Sequence, residues 1–98
     1  MIERITRNEE RFDKILDSVK ELKNALEKYS NYEKELKLLK KYYESRNWLK
    51  DKNDLEKNKL PKIKAGVLSE DGVWNMLSDI DEIILYMKRI IEDYERNR

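Results

Sequence analysis

The side chains of this sequence that could do chemistry gather in two short stretches. One is Y-Y-E-S-R-N-W-L-K-D, residues 42 to 51, which sets the phenols of Tyr42 and Tyr43, the hydroxyl of Ser45, the indole of Trp48 and the carboxylate of Asp51 within ten positions. The other is G-V-L-S-E-D-G, residues 66 to 72, which places Ser69, Glu70 and Asp71 between the only two glycines, with Trp74 just beyond. Nucleophilic attack by Ser69 or Tyr43 needs a base to take up the proton, and the chain has no histidine. It has no cysteine either, which removes disulfides, thiolate chemistry and, with histidine, nearly all zinc, haem and iron–sulfur ligation. A hard cation could take Asp51, Glu70 and Asp71, but their spacing matches no calcium-binding loop. The expectation is a protein that is not an enzyme and holds no cofactor or metal.

Each residue of the second stretch has a structural use. Ser69 suits a helix N-cap, Glu70 and Asp71 suit the electropositive first turn, and Leu68 with Val73 stand where a hydrophobic staple would close over it. Two carboxylates at that end would repel a phosphate or other anion. Gly66 would permit a positive φ or a close backbone approach before the cap. Gly72, inside the first turn, costs about 0.5–1 kcal/mol against alanine, so it is expected to make room for the Trp48 indole or a nearby tyrosine ring.

In the first stretch, helical projection puts Tyr42 and Tyr43 within an apolar arc and Trp48 at its edge. An edge tryptophan is either covered by the connection that follows or left for a partner. Tyrosine and tryptophan are common anchors of interfaces, so Tyr42, Tyr43, Trp48, Asp51, Asp71 and Trp74 are the candidate interaction residues.

These residues need helices to position them. Ile5, Phe12, Val19 and Leu26 recur every seven residues, with Ile15, Leu22 and Tyr29 three residues after the last three and Asn8 at the remaining d position. That spacing predicts a first helix over about residues 2–29. Ser30 and Glu33 form an S-x-x-E capping box that restarts a helix, expected over about 31–52. Its stripes are Tyr32, Leu36, Leu39, Tyr43 and Leu38, Tyr42, Ser45, Leu49. Periodicity then fades into a lysine-rich connection over about 53–68, with the only proline at Pro61. A third helix over about 69–96 carries Val73, Leu77, Ile80, Ile84, Met87, Ile91 and Tyr94, alternating in steps of four and three, beside a row of Met76, Ile83 and Ile90. The expected fold is one all-α domain over 1–98, an antiparallel three-helix bundle with two long helices and coiled-coil-like heptad packing.

Tyr42, Tyr43, Ser45, Trp48 and Asp51, followed by Leu60-Pro61 and by Gly66-Val67-Leu68-Ser69-Glu70-Asp71-Gly72, resemble a family of small, all-helical bacterial proteins known only as a domain of unknown function. The resemblance spans essentially the whole chain and implies a single helical domain. It brings no reaction, substrate or cofactor with it.

Composition sets the remaining bounds. The chain has 98 residues, 44% of them charged and 39% apolar, and a chain this short buries only about 60–65% of its unfolded surface. Residues 30–68 carry eleven basic and six acidic side chains, +5, and residues 69–98 carry four and eight, −4. Opposition of that kind favours the two segments lying together. The lysines at 50, 52, 57, 59, 62 and 64 are interleaved with acids, unlike a one-sided nucleic-acid surface. No apolar run reaches about 18 residues. The expectation is a cytoplasmic interaction module that self-associates or binds a protein, with no membrane, nucleic acid or small-molecule ligand. The alternative is a small phage or mobile-element inhibitor that blocks a larger host enzyme or nucleoprotein.

Overall fold

The computed structural model describes all 98 residues, Met1–Arg98. Its helices are α1 (Ile2–Ser30), α2 (Glu33–Tyr43), α3 (Arg46–Glu56) and α4 (Gly72–Arg96), with a 3₁₀ turn over Gly66–Leu68. Four helices stand where three were expected, so the chain is not a three-helix bundle. It divides into two compact units, Met1–Lys41 and Tyr42–Arg98.

In the first unit, α1 follows its heptads for 29 residues, about 43 Å at 1.5 Å per residue. Asn8, the polar member of the stripe, is satisfied within its own helix. Its side-chain amide donates to the Arg4 carbonyl at 2.9 Å and its oxygen accepts from Arg11 at 3.0 Å. Ser30 is the last residue of α1, and Asn31 after it keeps helical backbone angles (φ −66°, ψ −18°). The next helical bond runs from the Leu36 N–H to the Tyr32 carbonyl at 2.9 Å. The interruption is therefore a two-residue turn, and Tyr32 rather than Ser30 lies directly before α2. Neither α1 nor α2 buries a residue.

The second unit begins at the break that makes the fourth helix. Ser45 is extended (φ −91°, ψ 163°) and its Oγ accepts the Trp48 N–H at 3.3 Å. The same hydroxyl donates to the Tyr42 carbonyl at 2.6 Å, and the Ser45 N–H reaches that carbonyl at 3.0 Å. One serine thus closes α2 and caps α3. Such a cap stabilises a helix by about 1 kcal/mol. The far end of α3 is closed with equal definition. Asn58, the only non-glycine residue with positive φ (56°), stands just past the C-cap Lys57. The Asn58 N–H bonds the Leu55 carbonyl at 3.1 Å and the Lys59 N–H bonds the Asp54 carbonyl at 2.9 Å. This is a Schellman closure with asparagine in the left-handed position, and Pro61 lies beyond it.

The core of this unit is small. Trp48 from α3, Leu68 from the 3₁₀ turn and Val73 from α4 are 9%, 5% and 5% exposed, and they are the only buried residues of the chain. The 3₁₀ turn touches both α3 and α4, so Gly66–Leu68 joins the two helices.

Candidate functional site

The structure ties four of the six candidate interaction residues into two pairs, Tyr42 with Asp51 and Tyr43 with Trp48. The Trp48 indole N–H donates to the Val67 carbonyl at 2.9 Å, across nineteen residues of sequence. Of the two fates open to an edge tryptophan, it meets the first, because the returning connection covers it. The Tyr43 ring stands edge-on to Trp48, with centroids 5.1 Å apart and planes at 76°, the arrangement preferred by opposed ring quadrupoles. The Lys52 ammonium lies 5.2 Å from the Trp48 ring centre and 3.4 Å from Glu70. That ion pair links α3 to the turn before α4, but with Glu70 exposed it is worth little.

Tyr42 and Asp51 form the most polarised contact. The phenol donates to Asp51 Oδ2 at 2.6 Å, which spans the helix break from α2 to α3. Giving up that proton would place a phenolate against a carboxylate, and the hydrogen bond to Asp51, helped by some burial, pushes the Tyr42 pKa up from 10.0 to about 12. A phenol held neutral in this way is a poor base and a poor nucleophile near pH 7.

Asp71 and Trp74 are exposed and make none of these side-chain bonds. The side-chain bonds around Ser69 explain the second stretch. Ser69 Oγ accepts the Gly72 N–H at 3.0 Å and donates to the Gly66 carbonyl at 2.8 Å, while the Ser69 N–H bonds that carbonyl at 3.1 Å. Ser69 itself is extended (φ −68°, ψ 149°). Glu70 and Asp71 form the turn between it and the regular helix at Gly72.

The two glycines differ from their expected roles. A Cβ on Gly72 would come within 2.5 Å of Ser69 Oγ and 2.9 Å of the Gly66 carbonyl oxygen. The close approach that glycine permits is thus to its own turn, and no aromatic ring is involved. Gly66 has no positive φ, and a Cβ there would meet nothing within 4 Å. What position 66 supplies is its carbonyl, which any residue carries.

The remaining chemistry is sparse. No group of three or more carboxylates is arranged to hold a metal ion, and the Asp51 carboxylate is occupied by Tyr42. Of the lysines read as interleaved with acids, Lys50 and Lys52 lie in α3, where Lys50 pairs with Asp54 at 3.1 Å and Lys52 with Glu70. Shallow depressions lie along one face of α1, lined by successive turns such as Arg4, Arg7 and Arg11, and none of these involves Tyr42, Trp48 or Asp51. No helix is long and apolar enough to cross a membrane.

The generic apolar residues are the ones left exposed. Phe12 on α1 is 57% exposed and Ile91 on α4 is 55% exposed, and both belong to stripes read as core. Their periodicity revealed the stripe but not what covers it. No curated protein and no solved structure matches the chain. A family model does: the one described as a domain of unknown function, DUF4298, matches residues 5–90, a span from α1 through both tied stretches and into α4, and the chain belongs to that family.

Proposed function

We propose that this protein is a non-enzymatic helical interaction module, whose apolar helix faces pair with another copy of the chain or with a protein partner. The observation that carries the reading is the contrast between three buried residues and the exposed rows Ile5, Phe12, Ile15, Val19, Leu22 on α1 and Ile83, Ile84, Ile90, Ile91 on α4. Contiguous apolar surface of that extent on a charged chain marks an interaction site. The groups that could have served catalysis support the same reading. The Tyr42 and Ser45 hydroxyls are engaged in bonds that join α2 to α3, and Ser69 in bonds that begin α4.

Size-exclusion chromatography with light scattering, run from micromolar to millimolar chain, tests it. The expected result is a mass that rises to a defined oligomer, or a stoichiometric complex with a protein recovered on the tagged chain. A monomer at every concentration that recovers no protein ends the proposal.

A further inference from the structure

The stripe of α4, buried at Val73 but exposed at Ile84, Ile91 and Tyr94, carries enough pattern to name its occupant and orientation. In heptad terms Val73, Ile80, Met87 and Tyr94 are d positions and Leu77, Ile84 and Ile91 are a positions. The flanks are sorted by chemistry. The g positions are Met76, Ile83 and Ile90, all apolar, while the e positions are Trp74, Asp81, Lys88 and Glu95. Flanking positions set the orientation of paired helices. In a parallel pair each g residue faces an e residue of the other helix, which would set Met76, Ile83 and Ile90 against Asp81, Lys88 and Glu95. In an antiparallel pair g faces g and e faces e, so the apolar g row meets itself and the e row, charged except at Trp74, meets itself.

Three antiparallel registers keep a facing d with substantial overlap, and the charges separate them. With Ile84 opposite Ile80, Asp81 meets the Asp81 of the other copy, and Val73 is drawn into a layer although it is already buried inside its own chain. With Ile84 opposite Tyr94, Lys88 meets Lys88 and Asp81 meets Glu95. With Ile84 opposite Met87, the layers are Leu77 with Tyr94, Ile80 with Ile91 and Ile84 with Met87, each made twice. Ile83 then faces Ile90, and Asp81 faces Lys88 on both sides of the dyad. At the centre of this register Ile84 is 42% and Ile83 56% exposed, while Met87, Ile80 and Leu77 are half-buried.

We infer that α4 pairs with the α4 of a second copy, antiparallel and in the register that opposes Asp81 to Lys88. It is an isologous interface, in which one patch serves both chains. Leu85 stays outside the seam. The inference rests on the reading of the chain as a self-associating module and sharpens it to one helix and one register.

Charge exchange tests the register on the full chain, with helical content followed by circular dichroism. Asp81→Lys turns two attractive pairs into two repulsive ones and should weaken the dimer about ten-fold at low salt. The double exchange Asp81→Lys with Lys88→Asp restores opposite charges in this register and should recover wild-type affinity. Because the chain has no cysteine, a second measurement is clean. Ile84→Cys mixed with Met87→Cys should form a disulfide-linked dimer on mild oxidation, whereas Ile84→Cys alone should not. A dimer indifferent to both charge variants, or one in which Ile84→Cys links to itself, overturns the antiparallel pairing while leaving self-association intact. A wild-type chain that is monomeric throughout overturns self-association as well.

Discussion

The segment from Tyr42 to Val73 and the apolar rows of α1 and α4 use their side chains in opposite ways. In the first, Trp48, Tyr42, Ser45 and Asp51 satisfy one another and the returning backbone of Val67. In the second, isoleucines and leucines of no individual distinction remain in water. The difference teaches that residue types associated with sites need not form one. Here the rare residues hold the fold of a small unit, and the common ones stay exposed. A short chain that buries three residues cannot gain much stability from area alone, and directional bonds to one indole and two serines compensate locally.

Within the tied segment, the largest effect is expected from substitution at one of its two glycines. Helix propensity alone predicts that Gly72→Ala stabilises α4 by up to about 1 kcal/mol. Its Cβ would instead clash with Ser69 Oγ and the Gly66 carbonyl, so a net loss of about 2 kcal/mol is expected, with overpacking and the lost cap outweighing propensity. Gly66→Ala has open space and no positive φ. It should stabilise by about 0.5 kcal/mol through the unfolded chain. Urea denaturation of the two variants checks both signs, and equal effects would break the explanation of the turn.

Ser69→Ala should cost about 1 kcal/mol in the same assay, since it removes the hydroxyl that accepts the Gly72 N–H in the turn before α4 and leaves the apolar rows untouched. The smallest effect is a titration. Tyr42 is raised to about 12 by its bond to Asp51, so the folded chain retains that proton above the ordinary tyrosine pKa. The stability this bond contributes is whole below pH 10 and is lost as pH rises from 10 towards 12. Absorbance titration should show one of the six tyrosines ionising late, and Asp51→Asn should remove the lag. An unchanged late phase in that variant would dissociate the shift from the contact.

Much of the helical plan could be read from sequence, because α1 and α4 repeat their apolar residues at helical spacing for over twenty residues each. The break at Ser45 could not be read from periodicity. A continuous helix places Ser45 on the apolar stripe with Tyr42 and Leu49, and the projection therefore ran through it. The extended backbone at Ser45 (ψ 163°) resets the phase, so that Trp48, projected to the edge, becomes the core and Leu49, projected inward, is 59% exposed. The signal was present as a serine three residues before the indole, without the glutamate that marks a capping box. Asn58 followed by Pro61 was likewise a helix-stop signal. It marks the end of α3 in a stretch whose apolar spacing alone reads as a connection. The covering of a stripe is a different kind of fact, since periodicity reports only that one face avoids water.

The decisive measurement is light scattering on two variants matched for concentration, Trp48→Phe and Ile84→Glu, each with its urea midpoint. Trp48→Phe leaves the Val67 carbonyl without its donor and should lower stability by about 1–2 kcal/mol while the oligomer persists wherever the chain is folded. Ile84→Glu should keep the wild-type midpoint of the monomeric chain and abolish association. The reverse pattern, a dimer lost with Trp48→Phe and kept with Ile84→Glu, would place recognition in the aromatic segment and contradict the division of labour proposed for this chain.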